Sequence, residues 1–292
     1  VSNREDKVVI TCALTGVLAN RDQCPWVPYT AEEIADEAKR AYDAGASVVH
    51  IHAREPETGG PSHSAEVYAA IAEETRKRCP IILNFSTGSI GIPFEQKIGP
   101  VREVRPDIAA LNMGSMNYAK YSKRRKELVF DLVFENSFSE IREMLQAMNE
   151  VGVKPELECF DTGHTNSVHP LVDMGLLRPP LQFSFILGVL GGIPATTDSL
   201  SFQAKQIPAG STWEVIGVSL IQWRMLAAAL SLGGNIRVGL EDNFYLGEGQ
   251  MAKSNGDLVE KAARMSRDVG REPATVDEAR AILSLDSVSA RE

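Results

Sequence analysis

Two histidines one residue apart, His50 and His52 in Ser47-Val48-Val49-His50-Ile51-His52-Ala53-Arg54, are the side chains whose type and spacing most clearly suggest chemistry. In an extended strand alternate side chains share a face, so both imidazoles point one way while Ile51 packs behind them. Adjacent imidazoles are half of a divalent-metal site, and zinc is the usual occupant of nitrogen-rich ligation. Two ordinary histidines on a polar strand face would give the same pattern. Far downstream lies Arg237-Val238-Gly239-Leu240-Glu241-Asp242-Asn243. Glu241 follows an apolar strand, where an unpaired charge is costly, and it is preferred as third ligand over His63, His164 and His169. Two histidines and one glutamate leave a position open for a substrate oxygen, the arrangement of a catalytic metal. Asp242 then becomes a free carboxylate suited to proton transfer, or more plainly a turn cap. Arg237 shares the strand face of Gly239 and Glu241, and an arginine inside a barrel needs a partner, either Asp242 or a substrate carboxylate.

The elements that must position these groups read as short β-rich runs at 7–14, 47–52, 81–85, 108–112, 155–160, 181–187, 213–218 and 235–240, with helical patterns between most of them. Eight strands alternating with helices predict an α/β fold, a (β/α)8 TIM barrel with a C-terminal helical extension, as one domain over residues 1–292; a doubly wound open sheet is the alternative. The clearest helix start is the capping box Thr30-Ala31-Glu32-Glu33, and that helix stops at Gly45. A last long helix carries Leu258, Ala262, Met265 and Val269 as one apolar stripe. In a barrel, catalytic groups sit at the C-terminal ends of strands. His50 and His52 end strand 2, Ser86-Thr87-Gly88-Ser89 follows strand 3, Asn112 ends strand 4, and Glu241-Asp242 follows strand 8. Strand 1 lies between strands 8 and 2, so these ends face one mouth. The hydroxyls and amides of 86–89 suit a carboxylate or keto oxygen, although a plain turn explains them equally well. The Gly-rich run 188–194 matches no phosphate-binding motif.

Composition narrows the class. With 292 residues, 43% of them hydrophobic, the chain can bury a large core. A net charge of −9 excludes a nucleic-acid partner, whose phosphates need a basic surface. No apolar stretch approaches a bilayer span, and Val1-Ser2-Asn3-Arg4-Glu5-Asp6 is not a signal peptide. Cys12, Cys24, Cys79 and Cys159 form no CxxC pair and read as reduced thiols of a cytoplasmic protein. Residues 118–125, with Lys120, Lys123, Arg124 and Arg125, read as a solvated loop; a functional reading would have these cations guide an anionic cofactor's phosphates. The tail from Arg271 to Glu292 holds a second helix start at Thr275-Val276-Asp277-Glu278 and is expected to pack outside the barrel.

The set His50-Ile51-His52-Ala53-Arg54, Ser86-Thr87-Gly88, Leu111-Asn112-Met113-Gly114-Ser115 and Gly239-Leu240-Glu241-Asp242-Asn243 resembles the β-keto acid cleavage enzymes, the group of the 3-keto-5-aminohexanoate cleavage enzyme. The resemblance runs from Ala13-Leu14-Thr15-Gly16 to the final helix with Ser254-Asn255. It implies a zinc-dependent (β/α)8 barrel, a homo-oligomer (dimer or tetramer), that converts a β-keto acid and acetyl-CoA into acetoacetate and a new acyl-CoA. Carried over by position, His50, His52 and Glu241 would bind zinc. Asp242 would be the base and Arg237 its partner, while Ser86, Ser89 and Ser115 would contact substrate. One departure bears on specificity. The founding enzyme has a glutamate two residues beyond the glycine, which pairs with the substrate's ammonium; here that position is Leu18. A leucine cannot compensate a buried cation, so a neutral or apolar tail is expected. Rival readings are a metal-dependent amidohydrolase, whose HxH follows strand 1 rather than strand 2, and a non-catalytic metal- or ligand-binding barrel.

Overall fold

In the computed structural model of the chain, residues 6–285 are described; the opening residues 1–5 and the last of the tail, 286–292, lie outside them. Eight parallel strands close into a barrel: β1 (Ile10–Ala13), β2 (Val48–Ile51), β3 (Ile82–Phe85), β4 (Ile108–Asn112), β5 (Lys154–Cys159), β6 (Gln182–Leu187), β7 (Thr212–Gly217) and β8 (Asn235–Val238). Each pairs with its neighbours in chain order, and β8 closes on β1 with Arg237 opposite Thr11. The expected (β/α)8 barrel is therefore the observed one. Its strands are buried on both faces, because outward residues meet helices and inward ones meet each other.

Helices α1 (Ala31–Ala44), α2 (Ala65–Arg78), α3 (Phe94–Val104) and α4 (Phe138–Glu150) follow β1 to β4. The α1 capping box forms as expected: the Glu33 amide donates to Thr30 Oγ1 and the Glu33 carboxylate accepts from the Thr30 amide. Gly45 ends that helix at φ 114°, a conformation that a side chain would strain. After β5 come two short helices, α5 (Thr162–Asn166) and α6 (Val168–Asp173); α7 (Thr197–Ala204), α8 (Gln222–Ser231) and α9 (Asn255–Asp268) follow β6, β7 and β8. On α9 the buried face is Leu258, Val259, Ala262 and Ala263, whereas Val269 lies past the helix end and is half exposed, so the apolar stripe stops before it.

Two expectations are corrected. The run 7–14 is two strands, since Lys7–Val8 leaves the barrel to pair with Glu272–Pro273. The segment 118–125 is a loop only at its exposed tip, from Lys123 on. Met116–Ser122 pairs antiparallel with Glu127–Phe134 in a hairpin, because Phe130, Leu132 and Phe134 give the first strand an apolar partner. The tail packs outside the barrel as expected, across its N-terminal end. Helix α10 (Val276–Ile282) seats Ala279 and the following Leu283 on Val9, Val48, Ile82 and Ile108, whose side chains would otherwise open to water at the N-terminal end of the barrel. Arg280 Nη2 donates to Asp107 Oδ1 at 2.8 Å, and Asp107 Oδ2 accepts from the Leu83 amide at 3.0 Å.

The tail is thus pinned through Asp107, which holds both a strand amide and an arginine. Asp107→Ala, which orphans a buried N–H and a cation together, should lower unfolding free energy by about 2–4 kcal/mol, and Arg280→Ala by about 1 kcal/mol. Urea titration of both variants checks this; equal losses would mean that the strand amide is not held through Asp107.

Candidate active site

His50 lies inward on β2 and His52 follows its end. Glu241 reaches them because β8 runs into Gly239 at φ 141°, where a Cβ would lie 2.0 Å from the Ala13 carbonyl oxygen. Only glycine lets the chain pass so close to β1. Beyond it the Glu241 amide donates to Ala13 O at 3.2 Å. Asn255, at the start of α9, braces the same corner: its Oδ1 accepts from the Leu240 amide at 2.9 Å and its Nδ2 donates to Leu14 O at 3.2 Å. Glu37 in turn accepts from the Asn255 amide at 2.6 Å. The result places His50 Nε2 3.8 Å from Glu241 Oε2, and His52 Nε2 3.4 Å from Glu241 Oε1. The ligand atoms of all three lie within 4.8 Å of one another, a group that could hold a metal ion. His50 Nδ1 and Glu241 Oε2 are buried without hydrogen-bond partners.

Arg237 organises the carboxylates. Its Nε donates to Asp242 Oδ2 at 2.9 Å, and its Nη2 donates to Asp242 Oδ1 at 3.1 Å and to Glu241 Oε1 at 2.8 Å. The expected Arg237–Asp242 pair is present, with Glu241 added. Burial alone would push Glu241 up, but Arg237, His52 and His50 together hold it well below the usual carboxylate range. Asp242 is pushed up to about 6 by burial, with Arg237 opposing and Glu241 adding to the rise. His50 is held well below its ordinary value, by burial first and then by Arg237, so its ring is neutral at neutral pH.

Beneath this cluster lies a layer of acidic side chains that the sequence reading did not single out. Glu158, on β5, is 3.7 Å from Arg237 and is pushed up to about 8 by burial and by Glu156. Glu156 accepts from Asn84 Nδ2 at 2.5 Å and from Ser184 Oγ at 2.6 Å, and Glu214 accepts from Thr11 Oγ1 at 2.7 Å. A usable signal existed: Glu156 and Glu158 share one strand face by the same two-residue period as His50 and His52. His50, Glu156 and Glu158 form a second group of possible ligands, but Arg237 stands over it and Glu156 is already satisfied by two donors.

The other expected residues divide. Ser86 Oγ accepts from the Gly88 amide at 3.2 Å, and Ser89 Oγ is buried with no partner. Thr87 Oγ1 donates to Ala110 O at 2.5 Å, which commits its hydroxyl to the neighbouring strand end. Asn112 sits against Gly88, its Nδ2 3.2 Å from where a Cβ would be. Ser115 Oγ accepts from the Asn136 amide at 2.7 Å, tying the base of the hairpin to the start of α4. Leu18 is 58% exposed in the loop after β1. Of the remaining histidines, His63 stays outside the ligand group and His169 is exposed. His164 is packed under Gly114, where a Cβ would touch its ring at 2.5 Å, so it supports the turn at Ser115.

A closed (β/α)8 barrel with an ionised carboxylate, two imidazoles and an arginine-held aspartate at one mouth defines an enzyme of the TIM-barrel class. Residues 7–285 match the beta-keto acid cleavage enzyme family, and the chain belongs to it. It is 40% identical over 282 residues to a 3-keto-5-aminohexanoate cleavage enzyme of Fusobacterium nucleatum, covering 96% of this chain and 98% of that one. It is 32% identical to a 3,5-dioxohexanoate:acetyl-CoA acetone transferase of Paraburkholderia graminis, over 96% of each chain. The solved binary complex of ObcA with oxaloacetate superposes with a TM-score of 0.72 at 19% identity, over 90% of this chain and 68% of that one, a likeness of fold.

Replacing Arg237 by methionine keeps the volume but strands two buried carboxylates. Arg237→Met should cost about 3–5 kcal/mol of stability, less at acid pH where those carboxylates can take protons. Urea denaturation at two pH values tests this; a pH-independent loss would mean that the arginine acts by packing alone.

Proposed function

We propose that the protein is a zinc-dependent β-keto acid cleavage enzyme, converting a β-keto acid and acetyl-CoA into acetoacetate and a new acyl-CoA by a retro-Claisen route. The observation that carries this reading is the meeting of His50, His52 and Glu241 beside an Asp242 already clamped by Arg237. The donor set fits a divalent cation: a neutral imidazole, an ionised carboxylate and a buried carboxylate oxygen with no hydrogen bond. Bound there, such a cation would supply Lewis acidity at the keto oxygen and lower the cost of enolate formation.

The protein's own residues account for the rest. Asp242 takes a proton from the carbon between the keto and carboxylate groups, and Arg237 holds it in line and tempers the negative charge that develops. The enolate attacks the acetyl thioester; a carbon–carbon bond forms and the CoA thiolate leaves. The thiolate adds to the original keto carbon, whose bond to the central carbon then breaks, giving the new acyl-CoA and the enolate of acetoacetate. Asp242 returns its proton to that enolate. The hydroxyls of Ser86, Ser89 and Ser115, with Thr87, Gly88 and Asn112 shaping the turn, hold the substrate carboxylate, a role that the unpartnered Ser89 hydroxyl supports. The relatives' names give one an amino-bearing keto acid and another a diketo acid, so the family spans tails of different charge. Leu18, which brings no carboxylate to pair with a cation, supports a neutral or apolar tail for this protein's substrate. Four buried, unpaired cysteines support a reducing, cytoplasmic compartment, and no helix among the described residues is long and apolar enough to cross a membrane.

Acetoacetate release from a panel of β-keto acids, assayed on metal-loaded and chelated protein, tests the reaction. Turnover of neutral-tailed acids should vanish on chelation and return with zinc; turnover that ignores chelation would remove the metal from the scheme. Asp242→Asn should lower kcat by about 10²–10⁴-fold with zinc content unchanged. Leu18→Glu should shift the ratio of kcat/KM toward an amino-bearing acid, and an unmoved ratio would sink the account of the tail pocket.

A further inference from the structure

The hairpin of residues 116–134 is the feature that the reaction above leaves unused. Opposed residues of an antiparallel pair share a face, so Met116, Tyr118 and Lys120 lie on one side with Phe134, Leu132 and Phe130. That side looks into the barrel mouth. Met116 packs with Phe160, Ile186 and Ile216, and the Tyr118 ring meets Phe134 and Phe160 edge-on at centroid distances of 6.0 and 6.2 Å. The Tyr118 phenol is close enough to the site that, after burial, the charges of Glu241, Asp242 and Glu158 help push it up to about 12. Lys120 stands one strand step beyond Tyr118 on this same face and is exposed. The turn adds Lys123, Arg124, Arg125 and Lys126, all exposed. Only Arg125 has an ion-pair partner, Glu127 at 3.0 Å; Lys120, Lys123, Arg124 and Lys126 form no ion pair among the described residues. Residues 120–126 thus hold five cations and no carboxylate on a chain of net charge −9.

We infer that this hairpin is the docking arm for the nucleotide phosphates of the acyl-CoA, with Lys120, Lys123, Arg124 and Lys126 as their counter-charges. The inference rests on the acetyl-CoA reading given above. A thioester must react among Glu158, Glu241 and Asp242, surroundings that repel phosphate. CoA separates its thioester from its phosphates by a long, largely uncharged arm. A seven-residue strand spans about 20 Å, so the tip offers cations at a distance from the mouth, and the face between offers Tyr118, Phe130 and Leu132 as apolar surface for that arm. Free cations at the tip and acidic groups at the mouth also orient the cosubstrate, thioester inward.

The test is a variant with Lys120, Lys123, Arg124 and Lys126 all changed to Gln, exposed positions that leave the core untouched. Its KM for acetyl-CoA should rise about tenfold or more, with KM for the keto acid and kcat nearly unchanged, and its KM should lose most of its dependence on ionic strength. Acetyl-pantetheine, which lacks the phosphates, should be used equally well by both proteins. Titration calorimetry with adenosine 3′,5′-bisphosphate gives a readout without turnover: binding by the parent chain and about tenfold weaker binding by the variant are expected. Equal KM values for acetyl-CoA, or equal bisphosphate binding, would overturn the inference. If no keto acid is turned over while the parent still binds the bisphosphate and the variant does not, the anion-docking arm stands and the proposed reaction falls.

Discussion

A single buried cation holds the site together. Arg237 is 2% exposed and faces Glu241, Asp242 and Glu158 at 2.8, 2.9 and 3.7 Å. Three carboxylates taken out of water without it would protonate, since desolvation favours the neutral form. With it, they separate. Glu241, which also faces both histidines, is kept ionised; Asp242 is held near 6; Glu158, farthest from the cation and beside Glu156, rises to about 8. The guanidinium and the two histidines together thus set an ionised carboxylate beside a more basic one. Glu241 and Asp242 lie almost equally close to that charge, at 2.8 and 2.9 Å, and differ because the two histidines also face Glu241 while Glu241 itself faces Asp242.

That arrangement needs a rigid frame, and the barrel supplies it in layers. At the N-terminal end Val9, Val48, Ile82 and Ile108 form an apolar floor closed by α10. Above them Thr11, Asn84, Ser184, Glu156 and Glu214 make a hydrogen-bonded polar layer. The charged layer of Arg237, Glu158, His50 and Glu241 rests on it, and the aromatic hairpin covers part of the mouth. The polar and charged layers therefore lie between an apolar floor and an apolar cluster of Met116, Phe160, Ile186 and Ile216 at one side of the mouth. The apolar side chains packed between the strands and the surrounding helices carry most of the burial that offsets the cost of a polar interior.

Much of this was legible because it follows from local rules. Apolar runs marked all eight barrel strands, two-residue periodicity put His50 and His52 on one face, and the Thr30 capping box fixed the start of α1. What stayed hidden depended on closure. Glu156, Glu158 and Glu214 look like solvent-facing residues until the sheet bends round and turns their face inward. The hairpin was masked by its own basic tip: residues 118–125 read as a solvated loop, which holds for the exposed turn at 123–125, and the strand character of 127–134 emerges only through pairing with Tyr118 and its neighbours. For the tail, Thr275 announced the helix, but only the apolar side chains of Val9, Val48, Ile82 and Ile108, brought together by barrel closure, say where it must sit.

The loop after β1 can vary in side chain without disturbing this frame. The loop after β1 is held by its backbone, not by its variable side chain: the fully buried Arg54 donates from Nη2 to Thr15 O at 2.9 Å and to Ala19 O at 2.6 Å. Gly16 lies against Glu241, where a Cβ would stand 2.7 Å from Glu241 Cγ, so the loop is registered directly on the site. Leu18 sits between these anchors and is mostly exposed. A substitution there pays no core penalty, yet it acts from a loop whose position relative to Glu241 is fixed. Charge at residue 18 can therefore change while the barrel, the arginine and the carboxylates stay as they are.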